Sequence, residues 1–176
     1  LAVAPLAPKA FDRFGHYLGT ATVSASFVLS LVMFIQLLGR DEGERQVPQS
    51  LFTWFESGSL HVGMDLLLDP LSVLFLLLIT GVGFLIHVYS IGYMEHEHGP
   101  RHGGFYRFFG YLNLFVFNML ILVSSNNFML MFVGWEGVGL CSYLLIGYYY
   151  DKKSASDAGK KAFVVNRIGD FGVLLA

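Results

Sequence analysis

The run from Leu66 to Tyr89 constrains this chain more than any other feature. After a lone acid, Asp69, it continues to Tyr89 without another Asp, Glu, Lys or Arg. A stretch of roughly 20 apolar residues is long enough to cross the hydrocarbon core of a bilayer as a helix. Comparable runs lie at Tyr17–Leu38, Phe108–Val123 and Phe128–Tyr149. Composition agrees: of 176 residues, 55% are hydrophobic and 14% charged, where a soluble domain carries about 25% charged residues. The expected class is an all-α polytopic membrane protein.

These four spans are counted as the second to fifth helices. A first is expected only as an apolar tail, Leu1–Ala7, and a sixth begins near Ser156 and reaches the end of the chain. The total expected is about five to six transmembrane helices in a piece of a longer protein. Pro70 suits the first turn of the third helix, where its missing N–H costs nothing. Only residues 124–127 separate the fourth and fifth helices, which predicts an antiparallel helical hairpin.

The segment Leu51–Asp65 has another period. Phe52 and Trp54, then Leu60, Val62 and Met64, alternate with more polar neighbours on either side of Ser57-Gly58. A period of two around a turn signal predicts a small β-hairpin, against the alternative of an irregular loop with interfacial aromatics. Lys and Arg counts in short loops set orientation. Lys9, Arg13, Arg101, Arg107, Lys152, Lys153, Lys160 and Lys161 fall on one side; Arg40 and Arg45 fall on the other. The first side is expected to face the cytoplasm or its equivalent, which puts the hairpin on the periplasmic side.

Charges at membrane depth carry the functional information. Glu136 lies near the middle of the fifth helix, and an ionisable group at the bilayer centre costs at least ~2.5–3.5 kcal/mol. It persists there as a structural carboxylate pinning helices together or as a proton-carrying site; an acid inside a polytopic chain favours the second reading. Gly134, Gly137, Gly139, Cys141 and Ser142 surround it, and small residues admit a neighbouring backbone. Burial disfavours its charged form unless a cation is near. Its own helix offers none, so the partner is expected from another helix.

Arg167 and Asp170, on the sixth helix, stand at i, i+3 and can pair. They serve either as a stabilising ion pair or as a polar relay beside Glu136, and the two roles are compatible. Lys160 shares the face of Arg167 nearer the surface, and Lys161 points away. His87, near the end of the third helix, is either an interfacial anchor or a proton carrier.

Several other classes fall away. A net charge of −2 gives no reason to expect a nucleic-acid partner. His96, His98 and His102, with Glu95 and Glu97, do not have helical metal-ligand spacing and read as a solvated loop. Gly137, Gly139 and Ser142 imitate a dinucleotide fingerprint, but that motif must follow a strand and open a helix. No Walker A loop, haem-attachment motif or cysteine cluster for iron–sulfur binding is present, and Cys141 is the single cysteine.

Residues 135–147, Trp-Glu-Gly-Val-Gly-Leu-Cys-Ser-Tyr-Leu-Leu-Ile-Gly, resemble the fifth-helix signature of the subunit L (chain 5) family of NADH-quinone oxidoreductase, respiratory complex I. Leu68–Ser72, Thr80–His87 and Lys161–Asp170 agree in order and spacing. The likeness covers most of Leu66–Ala176; Leu1–Gln49 agrees only in hydropathy and the hairpin weakly. The chain is therefore divided into N-terminal helices and hairpin (1–65) and the first part of an antiporter-like domain (66–176). The resemblance implies inverted helical repeats with a broken helix in each, and a role in moving protons while other subunits oxidise NADH and reduce quinone. It implies that Glu136 pairs with a Lys on a later helix, that Arg167 and Asp170 matter for activity, and that His87 has a less settled part. It further implies no cofactor on this chain, with FMN and iron–sulfur clusters on partner subunits. The implied partners are the other membrane-arm subunits, especially an adjacent antiporter-like one, and the lipid bilayer. The implied location is the bacterial inner membrane, or the mitochondrial inner membrane if organellar. The large subunit of a multisubunit sodium/proton antiporter shares the fold and the glutamate, although Gly137–Ser142 fits the respiratory family better. A membrane anchor without transport is the third reading.

Overall fold

The computed structural model describes residues 8–58, 60–96 and 105–175. In chain order the elements are α1 (Pro8–Leu38), β1 (Val47–Ser57), β2 (Leu60–Leu68), α2 (Pro70–His96), α3 (Phe105–Ser124), α4 (Phe128–Ile146) and α5 (Lys153–Leu175). A single 3-10 turn, Glu42–Glu44, lies between α1 and β1. The expected tail of a first helix at 1–7 lies outside the described residues. So do Glu97, His98, Arg101 and His102 of the polar loop.

Four of these helices are long and apolar enough to cross a membrane: Phe14–Leu38, Pro70–Glu95, Phe105–Ser124 and Phe128–Ile146. The expected five to six thus become four among the described residues. α5 is long enough but carries Asp157, Lys160, Lys161, Arg167 and Asp170, too many charges for that set. Leu29, Leu78, Leu85 and Phe128 are all more than half exposed. Apolar side chains turned outward on such helices face lipid, not water.

Local chemistry explains most element ends. The third helix was expected from Leu66, but Leu66–Leu68 belong to β2 and α2 begins at Pro70. Asp69 is the cap: its Oδ1 accepts from Ser72 N at 2.7 Å, and Ser72 Oγ accepts from Asp69 N at 2.8 Å. This reciprocal pair satisfies two otherwise orphaned amides. α2 outruns its expected end at Tyr89 because Met94 is buried at 2% exposure, extending the packed face. α4 stops at Ile146, short of the expected Tyr149. Gly147 follows, donating to Tyr143 O at 2.9 Å, and the chain then tightens into a turn with Tyr148 N donating to Leu145 O at 3.2 Å. α1 starts earlier than Tyr17, at Pro8, and α5 slightly earlier than Ser156.

The β-hairpin forms as expected and is longer. Val47 pairs with Leu68 and Ser57 with Leu60, with irregularities between Ser50 and Thr53 and between Thr53 and Phe55. Gly58 turns the corner at φ 60°, which costs a glycine little. Glu56 and His61, register partners, also meet through their side chains. The alternation does not produce a buried and an open face in this chain. From Pro48 to Ser57 every residue of β1 is exposed, because the bulges break the two-residue period along the strand.

The described residues fall into two compact units. One draws on 1–21, 86–115 and 136–176, the other on 22–85 and 116–135. In the first, Met94, Phe105, Phe109 and Tyr148 form a buried cluster against which Ile91, Phe108, Tyr111 and Tyr149 pack. In the second, a Cβ on Gly83 would stand 3.3 Å from Val116 Cγ2 and 3.7 Å from Val23 Cγ1, so α1, α2 and α3 close on that glycine. There too the hairpin is tied to the α3–α4 turn. Asn126 N donates to Asp65 O at 2.9 Å, and Asn127 Nδ2 donates to Gly63 O at 2.9 Å.

Candidate functional site

α4 carries the sequence Gly134-Trp135-Glu136-Gly137. In its own unit Gly134 permits close contact with α3: a Cβ there would lie 2.7 Å from Leu122 N and 2.8 Å from Leu122 Cα. In the other unit, α4 and α5 run antiparallel and touch at three levels. A Cβ on Gly159 would be 3.4 Å from Gly147 Cα, and the rings of Tyr143 and Phe163 are 5.6 Å apart. At the third level Arg167 Nη1 meets Glu136 Oε2 in an ion pair. Small residues at one end and an ion pair at the other fix the spacing and register of the two helices.

Arg167 serves two acids. Its Nε lies 3.8 Å from Asp170 Oδ2, the i, i+3 neighbour on α5. That is within Coulombic reach but too long for a hydrogen bond. The guanidinium also covers the Phe163 ring, 4.7 Å from its centroid, a cation–π contact. Side-chain exposure falls from 41% at Arg167 through 21% at Glu136 to 7% at Asp170. Asp170 is thus the most enclosed of the three, and a buried carboxylate needs a cation or hydrogen bonds to remain charged. Arg167 Nε is buried without a hydrogen-bond partner, so the guanidinium has donor capacity in reserve.

The expected Arg167–Asp170 pairing is therefore present as proximity, while the shorter contact goes to Glu136. The partner expected for Glu136 from another helix comes from α5. Lys160 and Lys161 are both exposed. His87 belongs to a different group. It is fully buried at 0% exposure. Its Nε2 lies 3.0 Å from Asn113 Nδ2, which also donates to Phe109 O at 2.9 Å. A Cβ on Gly19 would come within 2.6 Å of that same amide nitrogen. In the sequence the signal for Asn113 is a polar amide within the apolar run Leu112-Asn113-Leu114.

Gly137, Gly139 and Ser142 lie inside α4, away from any strand–turn–helix geometry. Among the described residues no group of three or more His, Cys, Asp or Glu side chains is placed to hold a metal.

Residues 54–109 match the family described as NADH-Ubiquinone oxidoreductase (complex I), chain 5 N-terminus. Residues 125–176, which include Glu136, Arg167 and Asp170, match NADH:quinone oxidoreductase/Mrp antiporter, TM. The chain belongs to this family of antiporter-like membrane subunits. NADH-quinone oxidoreductase subunit L of Mycobacterium tuberculosis (strain CDC 1551 / Oshkosh) is 52% identical over 162 residues, covering 92% of this chain and 25% of the relative. The subunit L of Escherichia coli (strain K12) is 51% identical over 128 residues, covering 73% and 20%. A chain in the structure of the Mrp complex from Dietzia sp. DQ12-45-1b superposes with a TM-score of 0.74 at 25% identity, covering 99% of this chain and 17% of that one. The chain spans about a quarter of the length of the first of these curated relatives. The three charges lie on α4 and α5, within the stretch that matches the second of these families.

Proposed function

We propose that this chain is part of a proton-translocating membrane-arm subunit of an NADH:quinone oxidoreductase. In this reading electron transfer from NADH to quinone takes place in other subunits, which carry the FMN and iron–sulfur clusters, and this chain holds no redox cofactor. Its partners are the other membrane-arm subunits, with an adjacent antiporter-like subunit foremost, and its setting is an energy-transducing inner membrane. Residues 66–176 form the first part of the antiporter-like domain.

One observation carries the reading: a single guanidinium, Arg167, stands between the carboxylates of Glu136 and Asp170. Two acids share this one cation, so its position sets how strongly each is held. When Arg167 holds Glu136, that carboxylate stays ionised in an apolar span. When it swings towards Asp170, or when a cation from a later helix competes, Glu136 loses its counter-charge and takes up a proton. Return of the cation expels the proton. Electrostatic changes arriving from the redox subunits bias this choice, which is a coupling free energy between distant sites.

Glu136→Gln tests the proposal in the intact complex. The amide keeps the shape and most hydrogen bonds but cannot titrate. Proton translocation per NADH is expected to fall strongly with assembly and cofactor content near normal, and Glu136→Asp is expected to retain part of it. Wild-type stoichiometry in Glu136→Gln would make the carboxylate structural and favour the membrane-anchor reading.

The likeness to the Mrp complex chain supports a second reading, the large subunit of a multisubunit cation/proton antiporter. Co-purification with flavin and iron–sulfur subunits separates the two.

A further inference from the structure

We propose that the pocket around Arg107 binds the phosphate headgroup of an anionic phospholipid. It is a cavity of about 190 Å³ lined by Arg107, Tyr111, Tyr143, Tyr148, Tyr150 and Ser156, among others. The lining carries one cation, five hydroxyls and no carboxylate. Such a set offers many donors and repels nothing negative, so it selects a ligand rich in acceptor oxygens and anionic.

Arg107 is prepared for such a ligand. Its guanidinium lies 5.6 Å from the centroid of Tyr148 and 5.2 Å from that of Tyr150, so two rings hold the side chain in place. Its Nε is buried without a hydrogen-bond partner. A buried N–H of a cation without an acceptor is costly, and a phosphate oxygen would answer it. Tyr148 is buried at 6% exposure, which keeps one wall rigid, while Tyr150 is 61% exposed and leaves an entrance.

Position decides between kinds of phosphate. Arg107 is in the first turn of α3, and Tyr143–Tyr150 span the last turn of α4 and the turn beyond it. Both are ends of apolar spans, where headgroups lie, on the side richer in Lys and Arg. Lys152 and Lys153 follow after one acid, Asp151, and Lys152 Nζ sits 4.9 Å from the Tyr149 ring centroid. Basic pockets between transmembrane helices on that side take anionic lipid headgroups, and the aromatic rings suit the interface.

The test uses the delipidated, detergent-purified complex containing the full-length subunit. Its thermal midpoint is followed while phosphatidylglycerol, phosphatidylcholine or inorganic phosphate is added. Phosphatidylglycerol is expected to raise the midpoint at lower concentrations than phosphatidylcholine. Arg107→Gln is expected to weaken the apparent phosphatidylglycerol affinity about tenfold or more, the loss of one charge-assisted hydrogen bond. Ser156→Asp leaves Arg107 and its rings in place and adds an acid near the start of α5, where it suits the helix. It should abolish the phosphatidylglycerol effect even if Arg107→Gln fails to assemble. Equal effects of the two lipids, or a Ser156→Asp protein that responds like the wild type, would overturn the site. Inorganic phosphate acting as well as phosphatidylglycerol would overturn the lipid as its occupant.

Discussion

Arg167 on α5 forms an ion pair with Glu136 on α4. Asp170, the less exposed acid, lies 3.8 Å from the same guanidinium. The cation thus prefers the more accessible carboxylate and leaves the enclosed one at Coulombic range. One cation thus acts on two acids at once, at contact range on Glu136 and at longer range on Asp170.

The three charges are expected to act as a unit. In a double-mutant cycle of Arg167→Ala with Glu136→Gln, the coupling energy should be about 0.5–3 kcal/mol. Arg167 is 41% exposed, so its loss should cost less than the ~3–5 kcal/mol typical of breaking a fully buried pair. Arg167→Ala with Asp170→Ala should likewise do less harm than the sum of the single changes. Thermal stability and proton translocation of the four proteins in each cycle measure this, and strictly additive losses would count against the unit.

Membrane sidedness gives a second expectation. Ser154 and Ser50 are both exposed, and the Lys/Arg asymmetry assigns them to opposite faces. Cysteines introduced at these positions should react with an impermeant maleimide from opposite sides of sealed vesicles. Cys141, at 0% exposure, should give little background. Labelling of both from one side would overturn the topology.

His87 and Asn113 separate structure from chemistry. Asn113→Ala removes the amide beside a fully buried imidazole and should cost about 0.5–1.5 kcal/mol, read as a lowered thermal midpoint. His87→Gln keeps a hydrogen-bonding side chain without the titration. Pumping should drop in His87→Gln by more than its stability does if His87 carries protons. Unchanged pumping would leave it a packing residue.

Gly134 makes a steric prediction. The Leu122 backbone, 2.7 Å from where a Cβ would sit, cannot swing aside like a side chain. Gly134→Ala should therefore push α3 and α4 apart in that unit at a cost of about 1–3 kcal/mol, typical of overpacking. An unaltered thermal midpoint would show that the contact is looser than the geometry implies.

Much of this was legible in the sequence, and what was not has physical causes. The apolar runs located α1 to α4 because length and lack of charge are one-dimensional properties. The hairpin announced itself through alternation and Gly58, but its exposed strand did not, since bulges erase sidedness without changing composition. Helix ends moved where a side chain decides them, as Asp69 and Ser72 do for α2. Glu136, Arg167 and Asp170 were each conspicuous as charges in apolar surroundings. Which acid Arg167 would meet was hidden, because i, i+3 spacing is visible in a sequence and the register of α4 against α5 is not. Asn113 escaped notice because a neutral amide costs less in an apolar span than a charge does, and so stands out less.

The side chain of Asn127 has a consequence for motion. Its Oδ1 accepts from Leu130 N at 2.8 Å, closing the first turn of α4, while its Nδ2 donates to Gly63 O on β2. One amide group therefore belongs to a helix start and to a strand at once. Fraying of that helical turn releases the strand, and peeling of the strand strips the cap. The two should open as a single cooperative event, with amide hydrogens at Leu130 and along β2 exchanging at a common rate. A pull on the hairpin would then be felt at the end of the helix that carries Glu136.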